Sequence, residues 1–271
     1  MTDPDAPLAT ETVVVTPPRA RRRRPLKVVA VLLLVLGVLV VGFVVLDGWA
    51  RQQVADYVAD KARSVLSLDA DEPVAVEVGG TSVIAQVVTG SLDRVEVGVT
   101  QVTIGELTGD VRLVAEGVPV DVSKPVDRVQ IQLRVAEDDI QAIAHTLSAT
   151  TIDSVRLVKG EIQFGSEITV FGIPFTVGIG VEPFADGGSI GFTPTSVEIA
   201  GTRSSAESLI KQFGRPAEQL LKTQSICVAQ WLPAALGVET VEVGTKRLTV
   251  TIGATKALFD EKSLAALGSC E

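Results

Sequence analysis

The chain has 271 residues, 46% hydrophobic but only 4% aromatic, and a formal charge of -9. Its first 27 residues hold six cations against three carboxylates, so the rest carries -12. That excess of carboxylates excludes general attraction to nucleic acid or to an anionic membrane, since both depend on Lys and Arg meeting phosphate.

Residues 1–27 are rich in Pro, Thr and Arg, lack apolar periodicity, and read as a disordered basic tail. Val28 to Leu46 follows as nineteen residues without charge or proline, sixteen of them Val, Leu or Phe. As a helix it is about 28 Å long, which matches the roughly 30 Å of bilayer hydrocarbon. At about -0.3 to -0.6 kcal/mol for each large apolar residue, insertion is favourable by roughly 5 to 9 kcal/mol. Arg19, Arg21, Arg22, Arg23, Arg24 and Lys27 precede the segment and Asp47 follows it, which places the N-terminus in the cytoplasm. The run is longer than a signal-peptide core and no A-x-A-like site follows it, so it reads as a retained, single-pass signal-anchor. Residues 47–271 then lie outside the plasma membrane.

Asp47 to Leu68 has helical spacing, with Ala50, Val54, Tyr57, Val58, Val65 and Leu66 on one apolar stripe. Asp69, Asp71, Glu72 and Pro73 end it as a solvated linker. From Val74 to Val135 apolar residues alternate, as in Val95, Val97 and Val99 or Val129, Ile131, Leu133 and Val135, which predicts antiparallel strands with one buried face. Gly79-Gly80 and Gly109-Asp110 read as turns. A helix is expected from Glu137 to Leu147, its carboxylates Asp138 and Asp139 at the positive end. The only histidine, His145, sits on it beside Ile140, Ile143, Ala144 and Leu147 and reads as peripheral.

The second β region, Val155 to Ile199, contains FGIPFTVGIGV. Phe171, Ile173, Phe175, Val177 and Ile179 alternate there with glycine, proline and threonine, giving one bulky face and one bare face. Bare strand faces serve either a bend in a curved sheet or the close approach of a ligand or another backbone, and both readings stand; Pro174 argues for an edge or a bend. Ser204 and Glu207 form a capping box for a helix running to Lys222, with Leu209 and Phe213 on its apolar side. Gly214 and Pro216 should kink or divide it. Lys211, Arg215 and Lys222 recur on its other side, either as a solvated face or as candidates for holding an anionic headgroup. Trp231 follows, then two strands around a Gly244-Thr245 turn. Cys227 and Cys270 lie on the outer side, where a disulfide between them is expected to contribute about 4 kcal/mol.

No nucleophile elbow, phosphate loop, dinucleotide fingerprint or metal-protease motif occurs, and one histidine with two distant cysteines makes a conventional zinc site implausible. Neither an enzyme nor a cofactor or metal is expected. A carboxylate-based envelope hydrolase and a purely structural or adaptor domain that recruits another envelope protein are the rival readings.

The succession of membrane segment, juxtamembrane helix, Val-rich strands, FGIPFTVGIGVEPF and ICVAQWLPAALGVETVEVGTKRLTVTIGATKALF resembles the LmeA-like phospholipid-binding proteins of the actinobacterial envelope, over roughly residues 47 to 265. That resemblance implies an extracytoplasmic phospholipid-binding domain, in a context of phosphatidylinositol-type lipids and lipoglycan assembly. The expected fold is α+β: a transmembrane helix, then a long curved antiparallel sheet wrapped, tubular fashion, on two or three amphipathic helices. The expected acyl-chain lining is Phe171, Ile173, Phe175, Val177, Ile179, Leu209, Phe213 and Trp231. The lipid would lie between the sheet and the helices at Asp47–Leu68 and Ser204–Lys222.

Overall fold

The computed structural model describes residues 24–66, 68–69, 72–104, 107–147 and 152–270. The expected basic tail therefore lies almost wholly outside the described residues. Helix α1, Arg24–Leu66, is the longest element, and the chain divides within it into two compact units, Met1–Leu46 and Asp47–Glu271. In the first unit the large apolar side chains from Leu34 to Leu46 are 49 to 68% exposed. An exposed helix of that composition has no protein core of its own to fill, and it is long and apolar enough to cross a membrane.

The second unit holds two antiparallel sheets, so the α+β class is as expected, with the strands shared between two sheets instead of one. The first has the order β1-β2-β3-β4-β12-β11, formed by Val74–Val78, Ser91–Ile104, Leu107–Pro119, Val126–Ala136, Arg247–Ala257 and Gly237–Val243. The second runs β10-β8-β7-β6-β5 through Gln224–Cys227, Ser189–Ile199, Ile173–Asp186, Glu161–Val170 and Ser154–Val158, with β9, Thr202–Ser205, also on β8. The sheets meet where Val238 N donates to Gly187 O (2.7 Å) and Gly160 N donates to Val243 O (2.8 Å).

Period-two alternation puts the valines of the first sheet on one face. Val78, Val95, Val97 and Val99 are buried there beneath Val54, Ala55, Val58 and Ala62 of α1. Ala59, also buried, and its small neighbours let the helix approach closely. Tyr57, expected on this stripe, is 72% exposed instead, because it projects from the side of the helix away from the strands. Asp47 is buried and tied in: Ser82 Oγ donates to it at 2.8 Å and the Ile84 amide at 3.0 Å, while Arg51 pairs with it and donates to Val78 O and Gly80 O. A second core joins the sheets: Val155, Leu157, Ile162 and Val181 pack with Val243 and with Ala144 of α3, Glu137–Leu147. A third gathers Ala115, Val126 and Val129 under Phe259.

Three local expectations are corrected. Val83–Thr89, rich in β-branched residues, is a helix, α2, enforced by the Ser82 cap on Ala85 N and by Gly90 at φ 87°. Gly109-Asp110 lies inside β3 and not in a turn; a Cβ at Gly109 would sit 2.7 Å from Arg134 O, so the glycine serves strand approach. The capping serine of the later helix is Ser205, the last residue of β9, whose oxygen accepts from Ser208 N, while Ser204 lies within the strand. That helix is divided as expected, into α4, Ala206–Phe213, and α5, Arg215–Leu220, at Gly214 with φ 63°.

Candidate functional site

The bulky face of β7 is built as the alternation predicts. Val177, Ile179 and Val181 stand beside Ile199, Val197 and Pro194 of β8, and Ile179 and Phe175 beside Phe164 and Ile168 of β6. Exposure falls along it: Ile173 is 57% exposed, Phe175, Val177 and Ile179 are half-buried, and Val181 is 8% exposed in the core between the sheets. The nine residues from Ile173 to Val181, eight steps of strand, make this strip about 27 Å long, well over the roughly 15 Å depth of one leaflet's hydrocarbon. At its inner end it meets Val243 and Leu248 of the first sheet. Beyond them Leu133, Val250, Ile131 and Ile252 continue on the same face, paired in register and only half-buried. Among the described residues, these side chains make an apolar surface without a charged group that runs across both sheets and is packed at three cores.

The bare face of β7 has a different use. At Gly180 a Cβ would overlap Glu161 Oε1 and Ser196 Oγ, and at Gly165 one would lie 2.5 Å from Ser154 Oγ. Polar side chains of neighbouring strands thus fold over the glycines. Glu161 accepts from Thr195 Oγ1 at 2.7 Å, from Gln163 Nε2 at 2.9 Å and from Arg203, which also donates to Ser196 Oγ at 2.8 Å. Gly180→Ala should therefore destabilise the protein by about 1 to 3 kcal/mol, the usual result of overpacking, read as a lower urea midpoint. Pro174 lies where β7 pairs with β6 alone, so its missing N–H interrupts no ladder on the β8 side.

Burial raises the Glu161 carboxyl's affinity for a proton, but the Thr195 and Gln163 hydrogen bonds and the Arg203 guanidinium outweigh it and hold the group below its ordinary 4.5. A carboxyl lowered in the folded state stabilises fully above its unfolded value, and that contribution disappears as pH falls through the folded value. Stability should therefore drop below about pH 4.5, and Glu161→Gln should flatten that acid loss in urea titrations taken pH by pH.

Of the expected lining residues, Phe171 is fully exposed at the β6–β7 turn and leads the strip, followed by Ile173 to Ile179. On α4, which packs against β8 and β9, Leu209 is half-buried and Phe213 is 58% exposed. Trp231 is not brought to them. It sits in a 3-10 turn, Ala229–Trp231, beside Gly188 at the opposite end of the sheet. Lys211 pairs with Glu207 at 2.6 Å, and Arg215 and Lys222 are exposed. The side chain of His145 lies outside the described residues. Leu133, Val250 and Ile252, not among the expected lining residues, share this half-buried surface; their alternation was visible in the sequence, but their incomplete cover was not. A groove of about 720 Å³ beside α1 is lined mostly from the polar face of the first sheet, including Glu77, Glu96, Arg112 and Arg134, with Arg112 held by Glu96. Val74, Val97, Val99 and Val111 line it as well, so its chemistry is mixed.

A family model described as LmeA-like phospholipid-binding matches residues 45–253. No curated protein and no solved structure matches the chain.

Proposed function

The chain belongs to the LmeA-like phospholipid-binding family, and on that premise we propose that it is a non-catalytic phospholipid-binding protein held at the plasma membrane by α1, with its N-terminus in the cytoplasm and Asp47–Glu271 in the cell envelope. It serves envelope lipid or lipoglycan assembly, with phosphatidylinositol-type lipid as the ligand and an envelope protein as a further partner. The observation that carries this reading is the half-buried, uncharged apolar surface running from Ile173 along β7 and onto Leu133 and Val250. Each acyl methylene that such a surface removes from water contributes about 0.8 kcal/mol, so ten of them contribute about 8 kcal/mol toward offsetting the cost of association. Lys211, Arg215 and Lys222 are the headgroup candidates, with Lys211 competing against its Glu207 partner.

The test is photocrosslinking with a phospholipid that carries a reactive group midway along one acyl chain, applied to the full-length protein in a bilayer. Adducts should map to peptides of β7, β4 and β12. Adducts confined to residues 28–46 would show that only the apolar helix meets lipid.

A further inference from the structure

The end of the second sheet remote from β11 is made of two adjacent two-residue turns. Phe171-Gly172 joins the paired residues Val170 and Ile173, and Ala200-Gly201 joins Ile199 and Thr202; all four turn residues have positive φ, 53° and 80° in the first turn, 51° and 79° in the second. Such turns ordinarily carry Asn, Asp or Gly at the first position, because a side chain there is strained. Here a phenylalanine and an alanine take it, in a chain without a single asparagine. The Ala200 amide donates to Thr176 O at 2.8 Å, so the turns form one tip.

That tip is uncharged from Ile168 to Thr176 and from Ile199 to Thr202, although it belongs to a region carrying -12. Its apolar side chains face outward: Phe171 is 100% exposed, Ile199 58%, Ile173 57% and Ile168 43%. Exposed, uncharged strand ends promote aggregation, and proteins ordinarily blunt them with charge or Pro; here Pro174 is present but no Lys is. The nearest carboxylates, Glu167 and Glu198, stand behind the tip on β6 and β8. From Ile168 to Phe171 the tip extends about 10 Å, the depth to which interfacial elements enter a bilayer.

We infer that this tip docks on a lipid bilayer surface, Phe171 and its isoleucines entering the headgroup–acyl boundary. A protein partner would need polar groups to fix its register, and the tip offers backbone and three threonines alone. A bilayer asks only for apolar side chains. The tip is also continuous with the strip along Phe175, Val177 and Ile179, so a docked tip opens that surface directly onto acyl chains. In this respect the inference rests on the phospholipid-binding reading. With no cation at the tip, docking is insensitive to salt and needs no anionic lipid.

The experiment uses the full-length protein in phosphatidylcholine nanodiscs, with Trp49→Phe and Trp231→Phe as background and Phe171→Trp as the probe. Brominated phosphatidylcholine is supplied first in the nanodisc, then in separately added vesicles, and phospholipid occupancy is followed in parallel by native mass spectrometry. Quenching of the residue-171 emission by at least half from either bilayer, unchanged between low and high salt, is the expected result. Adding Ile173→Ser should weaken vesicle or nanodisc engagement about tenfold, equivalent to about 1.4 kcal/mol. No quenching from either source, or crosslinks from residue 171 to residue 171 of a second copy, would overturn the inference. If occupancy persists in that case, the phospholipid-binding reading stands without the tip; loss of occupancy in the unaltered protein would strike that reading itself.

Discussion

Replacing Cys227 and Cys270 with alanine should lower the unfolding free energy of the outer unit by about 4 kcal/mol, measured by urea denaturation of protein never exposed to reductant. The two residues are bridged and lie 43 positions apart. The loop they close contains β11 and β12, the strands through which the first sheet meets the second. Closing a loop of that size removes most of its freedom from the unfolded chain, which is where a disulfide chiefly acts. The bridge also fixes the C-terminal strap. Apart from it, that strap is joined to the 229–236 segment by a few backbone bonds, including Ala234 N to Ala266 O at 2.7 Å and Gly268 N to Leu232 O at 2.9 Å. A loss below about 1 kcal/mol, within the spread of ordinary point substitutions, would mean that the strap is secured mainly by its own contacts. Phe171 and the strip along β7 lie at the other end of their sheet, so lipid binding by the protein that remains folded should persist.

Phe175→Asp should reduce phospholipid occupancy roughly thirtyfold, the equivalent of about 2 kcal/mol, or two to three methylenes' worth of transfer free energy. Phe175 is half-buried midway along the strip, opposite Ile168, so a carboxylate there meets the acyl chain where solvent can still hydrate it. The far-ultraviolet circular dichroism should not change. Thr176→Asp supplies the control: it adds the same charge one residue along, on the exposed opposite face. Occupancy should survive it. If Phe175→Asp unfolds the protein, the residue belongs to the core; if occupancy is unchanged with the fold intact, the strip is not part of the lining.

Much of this arrangement could be read from residue spacing because one physical rule generated it. The alternation at Val95–Val99, Val129–Val135 and Ile173–Ile179 assigned strands and faces together, since a one-residue slip would turn every valine to water. The helix from Glu137 to Leu147 and the break at Gly214 were visible for similarly local reasons. Where the expectation failed, non-local packing or competing local chemistry decided. Val83–Thr89 has strand composition, yet Asp47 and Ser82, 35 positions apart, together hold its first turn. Gly109 resembles a turn residue until Arg134 O is placed against it. That Trp231 and Phe175 stand at opposite ends of a sheet follows from the pairing of β7, β8 and β10, which the sequence does not display. Whether an apolar residue is fully or only partly covered by protein has no signature in sequence, and so the half-buried Leu133 and Val250 looked like any core leucine and valine.

The central claim, that the outer unit holds phospholipid, is tested most directly by expressing residues 47–271 in a lipid-containing host, purifying them without detergent, and measuring the native mass. All three apolar cores lie within those residues, so the fragment retains the surface in question. The account predicts a population heavier than the polypeptide by the mass of a phospholipid, which dissociates on activation and is identified by its fragments. A fragment that is folded, arrives at the mass of the polypeptide alone, and takes up no phospholipid from added vesicles would contradict it.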